Sequence, residues 1–204
     1  MDEIPQTRWE LAETDGYAER FARLIDEGVD VVGEARLADV LVGRGARILD
    51  AGAGMGRIGA ELQRRGHTVI AAEKDPTLVA AAAERYPDLA VIESDLLALT
   101  PALLAEHGGA DFDLVVLVGN VIVLAAPDTE VRMLTTLRDL LAPAGRILVG
   151  FHPVDSPASS ARPYPFEEFR ADVEAAGLTV QHRFGTYDLA PPSDEYVVAV
   201  LTRA

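Results

Sequence analysis

The sequence has 204 residues, is 49% hydrophobic, contains no cysteine, and carries a formal net charge of −15 from 18 basic and 33 acidic residues. That length supports one α/β domain with a full core, and the missing cysteine excludes disulfides, a thiolate nucleophile, Cys-ligated zinc and iron–sulfur clusters. The acidic balance argues against nucleic acid as a partner, because affinity for a polyanion comes from Lys and Arg, and Lys74 is the only lysine.

Residues 1–16 are polar, with Asp2, Glu3, Glu10, Glu13 and Asp15, and lack the basic start and apolar middle of a signal peptide. No apolar run is long enough to span a membrane, so a cytoplasmic location is expected. Tyr17, Phe21, Leu24 and Ile25 fall on one helical face. A second short helix is expected over Val32 to Val42, ended by Gly43. Arg47-Ile48-Leu49 is a compact strand stopped by glycines. Strands and helices then alternate. Helix is expected over 58–65, strand over 68–72, helix from Pro76 through 78–86, and strand over 89–92. Helix follows over 101–107, an apolar strand over 112–118, helix over 128–141, and a fifth strand over 146–151. Residues 152–164 have loop composition. A helix over 166–176 precedes two last strands, 178–184 and 196–202. The gap between these two holds Pro191 and Pro192 and no helix, so they are expected to pair antiparallel, because a parallel pair needs a crossover.

The order predicts an α/β fold: three layers, doubly wound, with a mostly parallel seven-stranded sheet, a C-terminal antiparallel pair and N-terminal helices. Residues 1–44 are expected to form a helical cap of the same domain, and 45–204 the Rossmann-like domain proper.

The chemistry concentrates after the first strand, at Leu49-Asp50-Ala51-Gly52-Ala53-Gly54-Met55-Gly56. Glycines let the backbone turn sharply and let a ligand approach it closely, and open α/β sheets bind ligands at this end of their strands. The loop is ambiguous. Gly54-Met55-Gly56-Arg57-Ile58-Gly59 also satisfies the G-x-G-x-x-G pattern of dinucleotide-binding dehydrogenases, and Glu73 lies about twenty residues on, where a ribose-binding acid belongs. A tight turn with no ligand is the plain structural alternative.

The acid before the glycines shifts the balance. Asp50 with Gly52-x-Gly54-x-Gly56 resembles motif I of class I S-adenosylmethionine-dependent methyltransferases. The methionine end of that cofactor is cationic, whereas an added acid would repel the pyrophosphate of a dinucleotide. Ser94-Asp95-Leu96 after the third strand and the closing strand pair extend the resemblance over roughly residues 45–204.

The resemblance implies S-adenosyl-L-methionine as cofactor, held by Asp50, Ala51, Gly52, Ala53, Gly54, Gly56, Arg57, Glu73, Lys74, Asp95, Leu96 and Gly119. Glu73 is expected on the ribose hydroxyls, Asp95 on the adenine amino group, and the Leu96 N–H on the ring. It also implies a methyl acceptor, expected to be a small molecule, above the fourth strand at Val118-Gly119-Asn120-Val121. Asn120 and His152 are the candidate catalytic residues, His152 because histidine titrates near neutral pH. The fourth-strand segment is not Asn-Pro-Pro-Tyr, which weakens adenine or glutamine amides as acceptors. Tyr17, Phe21, Tyr164 and Tyr187 are expected in segments that cap the site. No metal-ligand spacing and no G-x-S-x-G elbow occur. The competing expectations are an NAD(P)-binding oxidoreductase and a non-catalytic module on the same fold. The acceptor and the oligomeric state stay open.

Overall fold

A computed structural model describes residues 4–12 and 16–204; residues 1–3 and 13–15 of the expected cap lie outside the described residues. In chain order the elements are α1 (Tyr17–Asp26), α2 (Gly33–Val40), β1 (Arg47–Ala51), α3 (Arg57–Arg64), β2 (Thr68–Glu73), α4 (Pro76–Arg85), β3 (Ala90–Glu93), α5 (Pro101–Ala105), β4 (Phe112–Leu117), α6 (Glu130–Asp139), β5 (Leu141–Phe151), α7 (Phe166–Ala175), β6 (Leu178–Phe184) and β7 (Val197–Arg203). Two 3₁₀ turns, Leu96–Ala98 and Val121–Leu124, follow β3 and β4, in stretches for which the sequence predicted no element.

The seven strands form one sheet in the order β3-β2-β1-β4-β5-β7-β6. β1 pairs parallel with β2 and β4, and the order reverses between β1 and β4. Such a switch point opens a crevice at the carboxyl ends of the strands. Apart from Arg47 and Asp113 at their starts, β1 and β4 are buried at every position and mostly apolar, as expected of central parallel strands. Two cores flank the sheet. One holds Leu134, Leu137, Phe151, Phe169 and Val173; the other holds Leu37, Ile58, Leu62, Val69 and Leu114.

The closing pair is antiparallel as expected, and β7 also inserts between β5 and β6. Burial explains the order. Val197 to Leu201 is buried at every position, whereas β6 exposes Thr179, Gln181 and His182. The fully apolar strand takes the interior, and the polar one takes the edge, where polar side chains discourage pairing with other chains.

Strand β5 begins earlier than the sequence suggested. Its pairing with β4 jumps from Phe112↔Leu141 to Leu114↔Arg146, so Pro143-Ala144-Gly145 is a bulge in the strand rather than a loop before it. Helix α6 starts at Glu130 rather than 128, because Asp128 lies in the left-handed region at φ 60°.

Candidate active site

Asp75 lies two residues past the end of β2 and caps α4, accepting the Thr77 N–H at 2.9 Å, with Pro76 in the first turn. That geometry, with the β1–α3 glycine loop beside it, shapes a cleft over the switch point. The cleft, with the open space at its mouth, takes in about 890 Å³. Asp50, Gly52, Ala53, Gly54, Arg57, Glu73, Lys74, Asp95, Leu96 and Gly119 all line it.

Asp50 is 2% exposed and accepts the Gly59 N–H at 2.8 Å. No cation lies within ion-pair distance of it among the described residues. Burial pushes its carboxyl up to about 7, against the Gly59 hydrogen bond and the Arg57 charge. Glu73 is 7% exposed. Its Oε2 accepts the Gly54 N–H at 2.7 Å, and Oε1 accepts the Lys74 and Asp75 N–H groups at 2.8 and 2.9 Å. Burial raises its pKa as well.

The raised Asp50 makes a testable link to stability. Between about pH 4 and 7 the folded chain keeps a proton that an unfolded Asp has lost. The native state then binds more protons, so stability falls as pH rises through that window and levels off above it. Glu10, held down to about 2 first of all by its hydrogen bond to Lys74, titrates below the window. Denaturant midpoints measured from pH 5 to pH 8 are expected to fall in the ligand-free protein, and the fall is expected to shrink in Asp50→Asn. A midpoint that rises with pH, or an equal fall in the variant, would count against the buried carboxyl as the cause.

Asp95 opens the 3₁₀ turn after β3. Its Oδ1 accepts the Leu97 N–H at 2.8 Å, and its Oδ2 lies 3.2 Å from the Lys74 ammonium. Leu96 is the first residue of that turn, where N–H groups have no partner inside the turn. Lys74 also reaches Glu10 at 2.7 Å, and Trp9 donates its indole N–H to Asp75 at 2.9 Å. On the other side, the Trp9 backbone N–H donates to the Leu124 carbonyl at 3.1 Å. Residues 7–10 therefore form a strap across the cleft, from the turn after β4 to the end of β2.

Arg57, in the cleft wall, pairs its guanidinium with Glu34 at 2.5 Å and stacks over the Phe21 ring at 4.9 Å. Ala51 and Gly56 do not line the cleft. A Cβ on Gly56 would come within 2.9 Å of Leu89, and one on Gly59 within 3.0 Å of Asp50 and 3.3 Å of Leu89. The last two glycines of the dehydrogenase-like pattern thus make room for packing.

Asn120 and His152 lie outside the cleft lining but touch each other. The Asn120 Oδ1 accepts the His152 backbone N–H at 2.8 Å and lies 3.1 Å from His152 Nδ1. Asn120 follows Gly119, which lines the cleft with open space beside its Cα.

Of the aromatic residues expected to cap the site, Tyr17 lines the cleft, with Phe21 against it at 5.0 Å. Tyr164 does not cap it. It is fully buried against Phe151 and Phe169, with its hydroxyl 2.5 Å from Asp172. Tyr187 is also outside the lining and pairs its hydroxyl with that of Tyr196 at 3.0 Å. Val118 and Val121, at the segment expected to meet the acceptor, line the cleft, whereas sequence reasoning missed Thr7, Trp9, Leu78, Leu124 and Met133 as wall residues. The apolar Val121-Ile122-Val123-Leu124 run was the one available signal. Among the described residues no group of three or more His, Asp or Glu is placed to hold a metal, and no helix is long and apolar enough to cross a membrane.

Residues 48–145 match a family model described as a methyltransferase domain. A TehB-like SAM-dependent methyltransferase from Corynebacterium glutamicum is 34% identical, with a TM-score of 0.81, and the match covers 94% of this chain and 98% of that one. The CcbJ methyltransferase of Streptomyces caelestis is 16% identical at TM-score 0.71, over 84% of this chain and 89% of its own. The Burkholderia thailandensis 1,6-didemethyltoxoflavin-N1-methyltransferase, solved with 1,6-didemethyltoxoflavin and S-adenosylhomocysteine, is 22% identical at TM-score 0.65, over 100% of this chain and 93% of its own. The last two share the fold. No curated protein sequence matches the chain. With a relative 34% identical along nearly the whole of both chains, the chain belongs to the class I S-adenosylmethionine-dependent methyltransferases, and S-adenosylmethionine is its cofactor.

Proposed function

We propose that the protein methylates a small-molecule acceptor, using Asp50, the Gly52–Gly54 loop, Glu73, Asp95 and Leu96 to hold the cofactor. The residues present fit that group. Asp50 is a buried carboxylate with no cation partner among the described residues, which suits a bound ammonium. Glu73 is fixed by three backbone N–H groups, and of a carboxylate's roughly four acceptor sites one, on Oε2, stays open to a ribose hydroxyl. Asp95 and the Leu96 N–H suit the adenine edge. In this reading Ala53 and Gly119 supply close backbone approach, Ala51 and Gly56 shape the loop, Arg57 anchors α2 beside it, and Lys74 ties the strap to Asp95.

When bound, the cofactor supplies a methyl group on a sulfonium, whose sulfur keeps the bonding pair as the acceptor's pair forms the new bond to carbon. The protein's share is alignment and, for an O–H or N–H acceptor, removal of a proton. We assign the proton to His152, which is hydrogen-bonded to Asn120 next to Gly119. Burial lowers its pKa, so it stands neutral and able to accept at neutral pH.

The strap carries the small-molecule reading. The chain's own Thr7 and Trp9 line the cleft, and its ties at Leu124 and Asp75 narrow the approach for a polymer. The charge of −15 also disfavours nucleic acid, and the Burkholderia thailandensis neighbour was solved with the small molecule 1,6-didemethyltoxoflavin bound. The cysteine-free composition supports a cytoplasmic setting, and residues 1–44 are assigned as the cap of the 45–204 domain.

Incubating the protein with methyl-labelled S-adenosylmethionine and a fractionated cell extract tests the reading. Label is expected in the dialysable fraction. Label confined to protein or nucleic acid would overturn it.

A further inference from the structure

We propose that Asn120 is the positioning residue of the acceptor side: its carboxamide oxygen holds His152 as the neutral Nδ1–H tautomer and leaves the Nε2 lone pair free to take the acceptor's proton. This rests on the assignment of His152 as the base.

The backbone decides which way the Asn120 amide points. The His152 main-chain N–H is only a donor, and it meets the Asn120 side chain at 2.8 Å. The atom facing it must be the oxygen, because the amide NH₂ would set donor against donor. The same oxygen lies 3.1 Å from His152 Nδ1. A ring nitrogen against a carboxamide oxygen is stabilised as N–H, and in a neutral imidazole the other nitrogen then carries the lone pair.

The Asn120 backbone is fixed too. Its N–H donates to the Gly150 carbonyl at 3.1 Å, which joins the carboxyl ends of β4 and β5. Its φ of 74° lies in the left-handed region that Asn tolerates and most residues do not. The sequence therefore accepts a strained conformation that turns this side chain back toward β5.

The groups around the ring leave it neutral. Tyr196 meets the imidazole edge-on, ring centres 4.7 Å apart. Burial pushes the Tyr196 hydroxyl up to about 12, so it stays uncharged, as does Tyr187, which is hydrogen-bonded to it and also raised by burial. Glu34 and Arg57, the charged pair felt at Tyr196, neutralise each other. No carboxylate lies within ion-pair distance of His152 among the described residues. An Asp–His pair would hold the proton on the ring more tightly, whereas an Asn–His pair sets the tautomer without that penalty.

Nitrogen-15 NMR of the ligand-free protein tests this without an acceptor. Long-range ¹H–¹⁵N correlations distinguish the two neutral tautomers, and His152→Gln identifies the signals. The wild type above its titration midpoint is expected to show Nδ1 protonated and Nε2 bare. Asn120→Gly tolerates the left-handed backbone and removes only the amide; it is expected to shift the ring toward the Nε2–H form. Asn120→Asp keeps the acceptor oxygen and adds a charge; it is expected to keep Nδ1–H and raise the His152 midpoint by about one pH unit. An Nε2–H ring in the wild type, an unchanged tautomer in Asn120→Gly, or an unmoved midpoint in Asn120→Asp would each overturn the role. Calorimetric binding of S-adenosylhomocysteine by the wild type stands apart, and its failure would strike the cofactor assignment instead. A labelled-methyl transfer that survives His152→Gln with an unchanged pH profile would remove His152 as the base while leaving the tautomer result intact.

Discussion

Glu73→Ala is expected to weaken S-adenosylhomocysteine binding about 100-fold, measured by calorimetry. The wild-type carboxylate accepts three backbone N–H bonds, from Gly54, Lys74 and Asp75. Hydrogen bonds to a charged group are each worth about 1.5–3 kcal/mol. Alanine removes the tie between the glycine loop and the end of β2, along with the acceptor assigned to the ribose. A loss of about 3 kcal/mol corresponds to roughly two powers of ten in affinity. Glu73→Gln is expected to cost less, about ten-fold, because one amide oxygen remains while the NH₂ faces backbone donors. Affinity in Glu73→Ala within about two-fold of the wild type would remove Glu73 from the cofactor site.

Gly52→Ala is expected to destabilise the fold by about 2–5 kcal/mol and to abolish cofactor binding. Two separate costs add. Gly52 has a φ of 76°, where a side chain costs roughly 1–2 kcal/mol. A Cβ there would also lie 2.5 and 2.7 Å from the two γ-carbons of Val121, and such overpacking typically costs about 1–3 kcal/mol. Urea unfolding separates them. In a Val121→Ala background the steric part is expected to shrink to the remaining 3.2 Å contact with the Val121 Cβ, and the backbone part to persist. A Gly52→Ala protein as stable as the wild type would mean that the loop and the turn after β4 yield easily.

The two experiments probe the same wall from opposite sides, and they show how unevenly the site could be read. Asp50, Gly52, Glu73 and Asp95 were legible because each sits at the carboxyl end of a strand, and the strands announce themselves as apolar runs. Once a parallel sheet is inferred, strand ends converge. The dehydrogenase alternative came from the same stretch. It fails because the family relationship, at 34% identity, runs along 94% of the chain. Trp9 and Thr7 were invisible as site residues, since their place depends on backbone pairing between residues 8–9 and 124–125.

The C-terminal strands divide in the same way. Pro191 and Pro192 in a short gap implied an antiparallel pair. That β7 lies inside and β6 at the edge follows from comparing their burial, which only the assembled sheet defines. Tyr164 is the converse case: a Tyr in a loop-like stretch reads as a site residue until its ring is seen packed between Phe151 and Phe169.

By itself, then, the sequence determined the alternation of elements, the glycine turn and the acids at the strand ends, because these depend on local periodicity and on residues next to one another. The tertiary structure decided the strap over the cleft, the inserted last strand and the meeting of Asn120 with His152. Those two residues stand 32 positions apart, and they touch because β4 and β5 are neighbours in register. Contacts of that kind are set by the burial of whole strands, a global balance that no single stretch of sequence contains.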